Sequence, residues 1–232
     1  DTFVAEQDPP VDVLFAIDQS CSMDDDSASL AAEFGSFIDT LSAATGGWRI
    51  GVATYDDGCF NHGVLHQDTP DVATLFNEAV TLGDDREIVY DEALFHIIGE
   101  SLSQTGSSSC NADFLRDGAL LHMIVVSDEP ERSTEKAKAW TWDYWLTEFE
   151  PYVADPSLLK ISGVVDKTTC NEGDDGYAEA IAATGGEHLN LCYGNWSSAM
   201  VKLANASLTH AWTFELSDTP AADTLTVTVD GT

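Results

Sequence analysis

Positive charge is what this sequence has least of: nine Lys and Arg stand against 41 Asp and Glu, for a formal charge of −32. A field of that sign repels phosphate backbones and anionic bilayer surfaces, which removes nucleic acid and charged membranes from the expected partners. The charge itself reads as a solvated acidic skin that keeps the chain soluble and raises the local cation concentration. No run of about 18 apolar residues occurs, so nothing is suited to insert into a membrane as a helix. The opening DTFVAEQDPP lacks the basic and apolar regions of a signal peptide, and the chain is expected to be a processed or excised piece of an exported protein.

The marks of several enzyme classes are also missing. There is no G-x-S-x-G elbow, no P-loop and no G-x-G-x-x-G. The histidines at 62, 66, 96, 122, 188 and 210 show no H-E-x-x-H spacing and read as structural or solvent-facing. Asn195-Trp-Ser and Asn205-Ala-Ser fit the glycosylation pattern but fall on or beside a predicted helix and are taken as coincidence. Five cysteines occur without a C-x-x-C pair, which argues against zinc-ribbon or thioredoxin-like chemistry and for disulfides in an oxidising compartment. Cys170 and Cys192 flank one predicted helix and strand and are paired first, leaving one of Cys21, Cys59 and Cys110 without a partner among these three.

What is present is enough apolar material, 44% of residues, for one sizeable core. Apolar runs alternate with helical periodicity, the pattern of an α/β protein: a doubly wound, mostly parallel six-stranded sheet with one antiparallel edge strand and helices on both faces. Strands are expected near 11–18, 48–55, 120–127, 158–165 and 188–191, with GVLHQ (63–67) returning as the antiparallel partner. Helices are expected over 27–44, 91–103, 136–149, 177–183 and 197–204. The third of these carries Trp140, Trp142, Tyr144, Trp145 and Phe149 as a stripe that packs on the sheet. Residues 1–10 form a linker, 11–210 the domain, and 211–232, with its Thr/Val alternation, the β-rich start of a truncated neighbour.

Val11 to Ser22, VDVLFAIDQSCS, carries the chemistry. An apolar strand ends in Asp18, and Ser20 and Ser22 follow at alternating positions; a second apolar run, LLHMIVVS, ends in Asp128. Ligands of open parallel sheets gather beyond the carboxyl ends of the strands, so the two aspartates should meet there. Carboxylate and hydroxyl oxygens suit a hard divalent cation, Mg²⁺, Ca²⁺ or Mn²⁺. A haloacid-dehalogenase-type phosphohydrolase would need a second aspartate at the position of Ser20.

The D-x-S-x-S turn, the following Met23 and acidic DDD, the long amphipathic helix and the VVSDEPE strand end together resemble the von Willebrand factor A domain and its metal-ion-dependent adhesion site. The likeness spans Pro10 to Ser207 and extends to a bacterial surface or secreted subgroup through FLRDGALLHMIVVSDEPERS and the β-rich tail from Thr213. It implies a non-enzymatic module in which Ser20 and Ser22 bind one cation directly and Asp18 and Asp128 do so directly or through water. An acidic group of a protein or glycan partner would complete the shell. The family's loop threonine falls on Ile88 here, which brings in Glu87 as a substitute ligand, with Asp24, Asp56, Asp85 and Asp91 around it. Cys21 replaces the glycine common in that turn and marks a disulfide toward Cys59. The implied setting is the cell surface, extracellular space or periplasm. The alternative is a metal-independent assembly module of a surface fibre or adhesin with a degenerate site, joined through edge strands.

Overall fold

The computed structural model describes residues 10–42, 47–81, 92–133, 141–167 and 173–208. The sequence strands form one six-stranded sheet: β1 (Val11–Ile17), β2 (Trp48–Ala53), β3 (Leu65–His66), β4 (Leu120–Ser127), β5 (Leu159–Val165) and β6 (His188–Asn190), in the order β3-β2-β1-β4-β5-β6. All neighbours run parallel except β2 and β3, which pair antiparallel through Arg49 with His66 and Ile50 with Leu65. Among the described residues six α-helices cover the sheet: α1 (Asp24–Leu41), α2 (Val72–Thr81), α3 (Leu94–Ser103), α4 (Trp142–Phe149), α5 (Tyr177–Thr184) and α6 (Trp196–Leu208).

Alternation along β1 sorts the core into two layers, because successive side chains of a strand point to opposite faces. Val13, Phe15 and Ile17 join α1, α2 and α6, while Leu14 and Ala16 join α3, α4 and α5. The first layer is an aromatic stack: Phe34 and Phe76 lie parallel with centroids 3.5 Å apart, and Phe15 meets Phe37 and Phe76 edge-on at 5.3 and 5.1 Å. In the second, Phe95 packs edge-on against Tyr177 at 5.3 Å and Phe149 at 6.0 Å. Gly51, in the middle of β2, is required for space: a Cβ there would stand 2.4 Å from the Phe60 ring.

Asp12 and His122, two polar side chains buried completely within the central strands, both have partners. Asp12, fully buried in β1, accepts from Arg116 Nε at 2.7 Å and from the Arg116 backbone N–H at 2.8 Å. Burial is the largest influence on this carboxyl and raises it to about 6 despite the guanidinium. His122 of β4 lies between Ser207 Oγ of α6 at 2.6 Å from Nδ1 and Ser162 Oγ of β5 at 2.7 Å from Nε2, and burial lowers it to about 3.

Helix α2 has no counterpart among the expected helices, although Val72, Leu75, Phe76, Ala79 and Val80 have helical spacing; its Val and Thr content speaks for strand, and packing of Phe76 on Phe34 decides the matter. The aromatic stripe is buried as expected at Trp145 and Phe149, but α4 begins only at Trp142, Trp145 also seats against Gly99 of α3, and Trp140 lies outside the described residues. So do most of the 1–10 linker and the whole of 211–232.

The disulfide expectation needs correction. Cys59 bonds to Cys110, with Cα atoms 5.6 Å apart, and not to Cys21. The reason is the loop beside it: Asn111 Oδ1 accepts the Phe60 N–H at 2.8 Å and Asn111 Nδ2 donates to Gly58 O at 2.7 Å, which brings the two cysteines together. Cys192 is also disulfide-bonded; Cys170, its expected partner, and the Cys21 side chain lie outside what is described.

Candidate metal centre

The strand order reverses between β1 and β4: the chain leaves β1 through α1 on one face and returns from β4 through helices on the other. At such a switch point the loops beyond the two strands diverge and leave a crevice. The register pairs Ile17 with Val126, and the Asp18 N–H donates to Val126 O at 3.0 Å, so Asp18 and Asp128 leave adjacent strands within one residue of the same level.

Four of the five expected ligands converge there. Asp18 is fully buried; its Oδ1 accepts the Ser20 N–H at 2.8 Å, and its Oδ2 accepts from Ser127 Oγ at 2.6 Å. Ser20 Oγ and Ser22 Oγ share a hydrogen bond of 3.1 Å, and Ser22 Oγ donates to Asp128 Oδ1 at 3.2 Å. A 3-10 turn, Cys21–Met23, with the Met23 N–H on Ser20 O at 2.9 Å, folds the two serines back over the strand end. Met23 is the buried anchor of that turn.

The electrostatics mark the spot as short of positive charge. Burial pushes the Asp18 carboxyl up to about 6, hydrogen bonds from Ser127 and Ser20 offset part of this, and the Asp128 charge adds to the rise. Asp26, on the first turn of α1, is raised by burial and then by Asp128 and Asp25. A buried Asp18 carboxyl whose charge is disfavoured by Asp128, with hydroxyls between the two acids, fits a hard cation placed among them. The set is all oxygen, which suits Mg²⁺, Mn²⁺ or Ca²⁺ better than a thiolate-preferring metal. Among the described residues no three His, Cys, Asp or Glu side chains form a metal-holding group, and the quartet falls short of that count because half of it is serine.

Other expected residues are placed differently. Asp56 stands in the turn after β2, one strand away from β1, beside Asp57, whose carboxylate accepts the Cys59 N–H at 3.0 Å. Glu87, Asp85 and Asp91, and the side chain of Asp24, lie outside the described residues. Asp26, also in the DDD run, is close enough to Asp128 to feel its charge, which composition alone does not reveal. Ser127 is not among the expected site residues; as the last residue of an apolar strand its hydroxyl carries no signal apart from its place next to Asp128.

A doubly wound sheet with hydroxyl and carboxylate loops at its switch point defines the class: this chain has the von Willebrand factor A fold. No protein-family model and no curated protein matches the sequence. Among solved structures it is similar to a von Willebrand factor type A protein from Catenulispora acidiphila, with 16% identity, a TM-score of 0.50, and coverage of 87% of this chain and 43% of the other. It is likewise similar to proximal thread matrix protein 1 from the mussel byssus, a structure with a zinc-occupied MIDAS motif, at 13% identity and TM-score 0.50, covering 88% of this chain and 49% of that one. The chain thus spans less than half the length of either structure. Among the described residues no helix is long and apolar enough to cross a membrane.

Proposed function

We propose that this chain is a non-enzymatic binding module that holds one divalent cation, Mg²⁺ or Ca²⁺ with Mn²⁺ as a substitute, among Asp18, Ser20, Ser22 and Asp128. The observation that carries the reading is the convergence of these four side chains through the Ser20, Ser22 and Asp128 hydrogen-bond chain at the switch point. The carboxylates would supply charge and the hydroxyls neutral oxygens, leaving room for an acidic group from a protein or glycan. The cation would supply the attraction that a −32 chain otherwise denies an acidic partner. Asp18 is held by Ser127 and the Ser20 N–H, so its orientation is set before any ion arrives. The zinc in the mussel protein's MIDAS motif supports a divalent occupant in principle. The Cys59–Cys110 bond supports an oxidising, extracellular or cell-surface setting.

The metal-independent assembly reading draws on the same hydrogen bonds, since Ser20, Ser22 and Asp128 satisfy one another as they stand. Calorimetric titration of the chelator-treated chain with Mg²⁺, Ca²⁺ and Mn²⁺, beside S20A/S22A, separates the two. Saturable binding lost in the variant supports the metal module. Absence of binding, or binding indifferent to the serines, favours assembly through edges.

A further inference from the structure

Arg132 stands at the border of this centre between two carboxylates. Its Nε lies 3.0 Å from Glu92 Oε2 and 3.0 Å from Glu129 Oε2, and its second guanidinium nitrogen lies 2.9 Å from Glu129 Oε2. Its backbone N–H donates to Glu92 O at 3.2 Å. All three side chains are largely shielded, with 24% exposure for the arginine, 19% for Glu92 and 15% for Glu129. Shielding, and two guanidinium nitrogens converging on one Glu129 oxygen, set this cluster apart from solvent-exposed ion pairs, which hold side chains only weakly.

Glu129 belongs to the strand-end segment of the centre, and Glu92 is tied to that segment through Arg132. Glu129 follows Asp128 directly, and its N–H donates at 3.1 Å to Ser127 Oγ, the hydroxyl that donates to Asp18. Glu92 lies two residues before the start of α3 and receives the Tyr177 hydroxyl on its carbonyl at 3.3 Å. Neighbouring residues lock the same junction: Glu131 Oε1 accepts the Phe95 N–H at 3.3 Å, and Ser133 Oγ accepts the His96 N–H at 3.0 Å.

We propose that Arg132 is a selectivity residue, which keeps Glu92 and Glu129 paired and therefore outside the coordination sphere. The inference rests on the metal-binding reading above. Mg²⁺ is held by one or two carboxylates plus waters in octahedral geometry, whereas Ca²⁺ accepts more oxygens and bidentate carboxylates. With Asp18 and Asp128 as the carboxylates of the quartet, the centre stays of the first kind and keeps a position open for an acidic group in trans. A Glu129 side chain released beside Asp128 would add an anionic ligand in cis, favour Ca²⁺ and occupy that position.

The test is calorimetric titration of the chelator-treated chain with Ca²⁺ and with Mg²⁺, for wild type, R132Q and R132Q/E92Q/E129Q, with folding checked by circular dichroism. R132Q should bind Ca²⁺ about tenfold or more tightly while Mg²⁺ affinity moves less, in the range typical of changes around metal ligands. The triple variant should return to the wild-type Ca²⁺ to Mg²⁺ ratio. A merely structural role would weaken both ions together, and a folded R132Q with an unchanged ratio overturns the inference. If R132Q does not fold, E129Q and E92Q carry the test with Arg132 in place. Each should keep its Ca²⁺ affinity within a few-fold, and a loss beyond about tenfold would show that the carboxylate is already a ligand and overturn the proposal. Wild type without saturable binding sinks the metal reading itself, an outcome distinct from either of these.

Discussion

Ser22 Oγ donates to Asp128 Oδ1 at 3.2 Å, joining two residues 106 positions apart that enter the crevice from neighbouring strands. A cation would replace that shared proton and gather both oxygens. Because Asp18 is already raised by burial and by Asp128, neutralising one acid costs the ion-free fold little and removes most of the ion's attraction.

D128N and D18N should therefore melt within a few degrees of wild type in chelator but fail to gain stability from Mg²⁺ or Ca²⁺. Wild type at a cation concentration one hundred times Kd should gain about 2.7 kcal/mol. That corresponds to about 5–11 °C for a chain of this size. Differential scanning calorimetry with and without chelator reads both quantities. Full metal-dependent stabilisation of D128N would refute the assignment of that residue.

The Asp12 and Arg116 pair governs the opposite end of the sheet. Arg116 also donates from its terminal nitrogen to Val11 O at 2.8 Å, tying the loop before β4 to the start of β1. Removing one partner strands the other: R116A leaves a buried carboxylate and should cost about 3–5 kcal/mol in urea unfolding. The double variant D12N/R116M should recover part of the loss. Equal stability of R116A and wild type would mean that Asp12 is protonated in the native state.

The pH profile follows from opposed groups. Burial raises Asp12 and Asp18 to about 6 and Glu131 to about 7. Each acid has a folded value above its unfolded one, so the native state holds more protons in between, and stability falls as pH rises through that window. His122, lowered by burial to about 3, acts in reverse: the unfolded chain takes up its proton below the ordinary histidine value, and stability is lost as pH falls toward 3. Three acids outweigh one histidine between about pH 4.5 and 6.5, so the ion-free chain should be most stable near pH 4–5. E131Q should flatten the upper limb, and a thermal melt series from pH 3 to 8 that peaks at 7 or above would contradict these shifts.

Much of this was legible because the signals were periodic. LLHMIVVS reads as a buried parallel strand and occupies Leu120–Ser127; the threes and fours of Leu30, Phe34, Phe37 and Leu41 give α1. The strand-end aspartates and paired serines were legible for the same reason, since a strand end fixes their level. What was not legible depended on pairing across loops. Asp12 inside VDVLFAI and His122 inside LLHMIVVS are polar residues in apolar strands, a sign of buried partners, but nothing local says that these are Arg116 in one case and Ser162 with Ser207 in the other. Likewise, nothing in the composition of the acidic run after Met23 says that Asp26 comes close enough to Asp128 to feel its charge.

The Cys59–Cys110 bond has the same origin and gives a prediction of its own. Asn111 is fully buried and, besides holding Phe60 and Gly58, donates to Ser101 O at 2.9 Å, so the native loop is fixed by hydrogen bonds before the sulfurs are considered. The covalent link then acts mainly on the unfolded chain, where it closes a sequence separation of 51 residues. Loop-closure entropy for that length is about 4 kcal/mol. C59S/C110S should accordingly keep the native circular dichroism spectrum and melt about 8–16 °C lower. N111A should add about 1–3 kcal/mol by leaving the Phe60 N–H unsatisfied. Metal affinity should not change in C59S/C110S, because the link lies away from the β1 and β4 loop ends. Peptide mapping that recovered Cys59 joined to Cys21 would reverse this expectation, since such a bond would tether the Ser20 to Ser22 turn and its loss would weaken metal binding directly.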